Sequence, residues 1–311
     1  MSIANAAHCS MMGGGKKPAP PGPAYWGLCF TAEASNVVVN VTKSGTPPAV
    51  TLETSIDGLN WTSFDADNGT TPVTLANAGD KVYFRAGSGG NSAIASALSD
   101  FRTFTLSNRA SISGDLTSIL NQDTPGTALQ SNLAMCKLFD SCIMLTGASG
   151  LILSSENLYQ SCYNKMFSGC TSLTTAPALP ATTLARSCYY SMFSGCTSLT
   201  TAPALPATNI AGSAYRAMFS GCTSLTEVSM EATAISSNST FRQMFEGCSN
   251  LSRIETHITD WQSSYSLGYT NWVDGVSATG TFYCPAALGT NETIERGVNR
   301  CPEGWTVINI D

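Results

Sequence analysis

Twelve cysteines and two histidines are the residues of this 311-residue chain best suited to metal ligation, redox chemistry or nucleophilic catalysis. Their spacing favours none of these. Cys170, Cys196, Cys222 and Cys248 recur once every 26 residues and lack the paired Cys-x-x-Cys spacing that closes a zinc site. A ladder of buried thiols packed as small apolar groups accounts for them better. Cys162 and Cys188 also stand one period apart, but stacking on one face seldom gives the dihedral a disulfide needs. Cys284 and Cys301, each followed by proline, are the best disulfide candidates. His8 and His257 have no recognisable nucleophile or ligand partner, and no glycine-rich phosphate loop opens a helix. The chain therefore reads as a non-enzyme with no metal and no cofactor. A glycosidase would need two carboxylates paired in space and not in sequence, so a glycan-active enzyme stands as a third reading.

Two short motifs invite sharper readings. Ser55-Ile56-Asp57-Gly58-Leu59-Asn60-Trp61 resembles the turn of sialidase Asp-boxes, one residue short of their spacing. A hairpin in which Asp57-Gly58 turns the chain and Trp61 starts the next strand explains it better. Asn40, Asn60, Asn68, Asn238 and Asn291 lie in glycosylation sequons, which arise by chance in an Asn- and Thr-rich chain.

The elements that would position these residues announce themselves by repetition. Met166-Phe167-Ser168-Gly169-Cys170-Thr171-Ser172-Leu173 recurs from Met192, from Met218 and, with changes, from Met244, each step being 26 residues. Degenerate copies begin at Leu138 and Trp272, as expected where the outermost units of a stack must cover an open core. Within a unit, Cys188 and Met192, like Tyr189 and Phe193, stand four apart, which predicts a short amphipathic helix ended by a left-handed Gly195. A strand should follow. Leu225, Val228 and Met230, matched by Leu251, Ile254 and Thr256, predict its inward positions. Its outward positions are Thr175 and Pro177, Thr201 and Pro203, Glu227 and Ser229, and Arg253 and Glu255, and these are the candidate binding residues. Leu-Pro at 179–180 and 205–206 then closes the strand.

The unit resembles the BspA-like class of leucine-rich repeat in Phe193, Cys196, Leu199, Leu205 and Pro206, over roughly residues 130–284. The closing segment from Trp272 to Val307 also looks like the ending of repeat proteins of gut bacteria and their phages. The resemblance implies surface display and adhesion rather than a reaction.

Ahead of the repeats, residues 1–23 form a Gly/Pro-rich arm suited to docking. Short alternating runs between Tyr25 and Leu106 predict an antiparallel β-sandwich over 24–114, and Leu116 to Leu120 a short helix leading into the repeats. The expected fold is therefore mixed α/β. An N-terminal β-sandwich precedes a leucine-rich-repeat solenoid of 26-residue helix–strand units over 115–284, and a C-terminal cap covers 285–311.

Composition narrows the partners. Only 12% of residues are charged and the net charge is −6, which gives no basic stripe for nucleic acid. No apolar run is long enough for a membrane span, and the N-terminus lacks the apolar core of a signal peptide. The function expected is a phage virion surface component, a tail or head fibre. It would be made in the host cytoplasm, attached to other subunits through residues 1–114, and would present its repeats to a protein or glycan on the bacterial surface. Self-association into a homo-oligomer fits the same reading, and a bacterial cell-surface adhesin is the alternative.

Overall fold

The computed structural model describes residues 27–67, 69–121, 129, 131–153, 158–235, 239–261 and 267–310. The arm over 1–23 with His8 and Cys9, the start of the first predicted strand at Tyr25, and the sequon residues Asn68 and Asn238 lie outside them.

The expected mixed α/β architecture is not what this sequence builds. The molecule is nearly all β, and among the described residues no α-helix forms. Helical turns are 3-10, at Leu116–Ile119, where a short helix was expected, and at residues 267–269.

The N-terminal half forms two sheets. β1 (Leu28–Ala32), β3 (Leu52–Ser55), β4 (Thr62–Phe64), β6 (Lys81–Ala86) and β8 (Ala110–Asp115) lie in one sheet with β9 (Leu145–Ile152), in the order β4-β3-β6-β1-β8-β9. β2 (Val37–Ser44), β5 (Val73–Leu75) and β7 (Phe101–Leu106) form the second, ordered β5-β2-β7. Phe30 and Phe84 of the first sheet meet Phe104 of the second, each with ring centroids 5.0 Å away. Every pairing is antiparallel except β8 with β9, which is parallel and carries the sheet towards the repeats.

In the repeats, the segment expected to be helical is instead a ladder of turns. Ser187, Ser191 and Gly195 have φ of 56°, 51° and 75°, and Ser161, Lys165 and Gly169, one coil earlier, have 56°, 54° and 71°. One residue in four is thus left-handed, and the chain closes a turn between each pair. Amide N–H groups divide their work accordingly. Ser161, Tyr163, Lys165, Phe167 and Gly169 donate to Arg186, Cys188, Tyr190, Met192 and Ser194 of the next coil, over 2.7–3.0 Å. Asn164, Met166 and Ser168 donate back within their own coil to Ser161, Tyr163 and Lys165. The backbone is satisfied with no helix, and each coil is fastened to the next as a strand is fastened to its neighbour.

The same geometry stacks identical side chains. Phe139, Phe167, Phe193, Phe219 and Phe245 form one column with centroids 5.3, 5.5, 5.6 and 6.0 Å apart. These gaps exceed the ~4.8 Å spacing of adjacent strands, so the rings slide into the offset arrangement that their quadrupoles favour. Tyr163, Tyr189, Tyr215, Phe241 and Tyr269 form a second column. Phe104 of the sandwich stacks on Phe139 at 5.8 Å, and the Phe104 amide donates to Leu138 O. One contiguous core therefore runs from Leu28 to Val307.

Candidate binding face

Opposite the turn ladder, the coils present short parallel strands. Gly147 bridges Thr175, and Thr201 bridges Glu227. A short parallel pair, β10 (Asn209–Ile210) with β12 (Ala234–Ile235), stands apart, and regular pairing sets in between β11 (Glu227–Met230), β13 (Arg253–Thr256), β14 (Thr281–Cys284) and β15 (Thr306–Asn309), in that order. Strand register lines up Glu227, Arg253, Thr281 and Thr306 in one row, and Ser229, Glu255, Tyr283 and Ile308 in the next. Alternate residues such as Val228, Ile254 and Phe282 are buried, so both rows face outward.

Of the predicted outward residues, Thr175, Thr201, Glu227 and Ser229 are exposed, and Arg253 and Glu255 half-buried. Pro203 is half-buried and Pro177 buried, against expectation. The cause is local. Ala-Pro-Ala follows Thr175 and Thr201, and a proline without an amide hydrogen cannot continue the ladder, so alternation resets before Leu179 and Leu205 turn inward. The face is consequently regular only where Glu-Val-Ser-Met and Arg-Ile-Glu-Thr replace the alanine-proline run.

Arg253 is the centre of that regular part. Its Nη2 donates to Glu255 Oε2 at 2.7 Å, and its guanidinium lies 4.3 Å from the centre of the Tyr283 ring. The hydrogen bond to Glu255 raises the Arg253 pKa further, fixing a permanent cation over an aromatic ring. Just past the end of β13, His257 Nε2 stands 3.6 Å from Glu231 Oε2. Tyr283, Ile308, Thr281 and Thr306 were not among the candidates. Alternation in Thr281-Phe-Tyr-Cys and Thr306-Val-Ile-Asn was the available signal, hidden because neither segment repeats the Cys-x-x-Leu lead-in of earlier coils.

Cys170, Cys196, Cys222 and Cys248 are buried behind the face. Each is more than packing. Their Sγ atoms lie 3.0–3.1 Å from the carbonyl oxygens of Phe139, Phe167, Phe193 and Phe219 in the preceding coil, to which the thiols donate. Burial pushes all four pKa values up, that of Cys248 to about 12, so they are protonated and poor nucleophiles. Cys284 and Cys301 are likewise buried free thiols rather than a disulfide. Among the described residues, no group of three or more His, Cys, Asp or Glu is arranged to hold a metal ion.

The Asp57 loop is a hairpin turn. Asp57 accepts from the amides of Leu59 and Asn60, both at 2.8 Å, and Trp61 lies just before β4 under the guanidinium of Arg85 at 4.0 Å.

No family model matches the chain, and neither a curated protein nor a solved structure matches it.

Proposed function

We propose that the protein is a non-catalytic virion surface component of a phage, a tail or head fibre. It attaches to other subunits through residues 1–114 and offers the strand face around Arg253 to a protein or glycan on the bacterial surface. The observation that carries this reading is the doubled outward row on β11, β13, β14 and β15, where charged, aromatic and aliphatic groups stand on strands already paired along their length. Such a surface is ordered before binding, so little conformational freedom remains to be lost on docking. The resemblance of the repeat to BspA-like proteins supports surface display.

The test applies labelled protein to a panel of gut bacterial strains. Saturable binding is expected to at least one strain, and Arg253→Ala and Tyr283→Ala should each weaken it by about tenfold or more, as loss of a well-placed anchor does. Circular dichroism should be unchanged. Absence of binding, or binding indifferent to both changes, sinks the reading. Antibody against the protein should decorate purified virions; decoration of intact cells alone would point to a cell-surface adhesin.

A further inference from the structure

Where the sandwich joins the repeats, a trough of about 380 Å³ opens on the same side as Thr175. Its walls carry Glu33, Arg109, Ser111, Ser113, Ser149 and Thr175. Gly147 and Gly150 of β9 also line it, and a side chain at either would crowd a neighbour. A Cβ on Gly147 would lie 3.0 Å from Thr175 Oγ1, and one on Gly150 2.9 Å from Ser113 Cβ. The β8–β9 pairing shifts register twice here, between Ala110 and Ser111 and again between Ser111 and Ser113. Irregularities of this kind bend a strand and re-aim its side chains, and they gather next to binding sites.

The chemistry of the walls is specific. Glu33 and Arg109 are both exposed, and their chains are tied by a hydrogen bond from Glu33 N to Arg109 O of 2.9 Å. Among the described residues neither side chain has an ion-pair or hydrogen-bond partner. A carboxylate that accepts from neighbouring hydroxyls, a guanidinium fork that donates to hydroxyl and ring oxygens, and hydroxyls that do either form a set complementary to a sugar. The one acid and one base balance, which favours an uncharged ligand over an acidic one. The volume is within the range of small-ligand sites.

We infer that this trough binds a neutral oligosaccharide, with Glu33 and Arg109 as its two charged anchors. The inference goes beyond the proposed function: it adds a second site, distinct from the strand face around Arg253. Calorimetric titration of the full chain with cellohexaose, chitohexaose, mannohexaose and hexagalacturonate is the test. At least one neutral hexasaccharide should bind, Glu33→Ala and Arg109→Ala should each weaken it by about tenfold, and Ser149→Trp should abolish it by filling the trough. Both anchors are exposed, so these variants are expected to fold. No binding by any neutral hexasaccharide, a preference for hexagalacturonate, or binding indifferent to both anchors overturns the inference. Hexasaccharide binding that is lost in Arg253→Ala or Tyr283→Ala but kept in Glu33→Ala and Arg109→Ala would overturn the trough and leave the proposed function standing. Cell binding unchanged in both Arg253→Ala and Tyr283→Ala would remove the proposed function and leave the trough standing.

Discussion

A thiol in the column behind the binding face does two things that alanine could not. Cys196 fills its place with no exposed surface, and its S–H reaches Phe167 O at 3.1 Å, a carbonyl that already accepts from Cys170 N. The second bond crosses between coils, so the column is a line of rivets along the stack. Its protonation has a stability consequence. Cys142 and Cys248 are pushed from an ordinary 9.0 to about 12 by burial. Unfolding releases thiols that ionise near 9, so above that pH the unfolded state binds fewer protons than the folded one, and stability falls as pH rises. Their contribution is intact below pH 9 and drains away between 9 and about 12. Urea midpoints should hold steady up to about pH 9 and then decline, by up to about 1.4 kcal/mol per pH unit for each thiol, and Cys248→Ala should flatten the decline. A midpoint that rises from about pH 8 to about pH 10 would contradict this. Burial of Cys196 was legible from its place in the 26-residue period, whereas its bond to the preceding coil was not, because that bond depends on where the carbonyl of Phe167 points.

At the scale of the element, the turn ladder explains why a helix was expected and is absent. Cys188 with Met192 and Tyr189 with Phe193 are buried pairs four residues apart. An α-helix produces that spacing, and so does a chain that turns left-handed at every fourth residue. Periodicity cannot separate the two. The distinguishing residues are those at the left-handed sites, small ones in Ser187, Ser191 and Gly195 and in Ser213, Ala217 and Gly221, but Lys165 and Gln243 in other coils, so residue type marks the sites only in part. The inward positions of the strand were easier to read, since Leu225, Val228 and Met230 are all buried. Ala217, with φ of 52°, offers the sharpest test of the ladder. A left-handed non-glycine residue costs roughly 1–2 kcal/mol, whereas a glycine in the middle of a helix is destabilising by roughly 0.5–1 kcal/mol. Ala217→Gly should therefore leave stability unchanged or raise it by up to about 1 kcal/mol, and Ala217→Val should lower it by more than about 1 kcal/mol, since a branched side chain tolerates positive φ least. Thermal melts of the three proteins check the order. A clear loss in the glycine variant would return the segment to a helix.

Over the whole molecule, the sandwich and the repeats share one core, because both faces continue across the junction. β8 pairs with β9, which bridges Thr175 through Gly147, while on the far side β7 joins the turn ladder through the bonds of Phe104 N to Leu138 O and of Thr103 Oγ1 to Lys137 O. Phe139 is the pivot between them. It is fully buried, with centroids 6.2 Å from Phe30, 5.8 Å from Phe104 and 5.3 Å from Phe167. At the other end, Arg296 Nη1 donates to Pro302 O and Trp305 O, and Asn291 Oδ1 accepts from Val307 N, so the last strand is held by its own approach loop. A stack whose units touch only their neighbours unfolds as one body when every interface is strong, and splits at an interface that is weakened. Hydrogen exchange should therefore assign the amides of β1 and β13 the same opening free energy in the native protein. Phe139→Ala removes about 3–5 kcal/mol of burial at the junction of the two halves, with a cavity that the flanking rings cannot close. In that variant β1 should open at a different denaturant concentration from β13, and the spread should vanish when the same truncation is made at Phe245, where only like coils are parted. Separate openings in the unmodified chain would mean that the junction transmits nothing, and the aromatic column would then be two columns end to end.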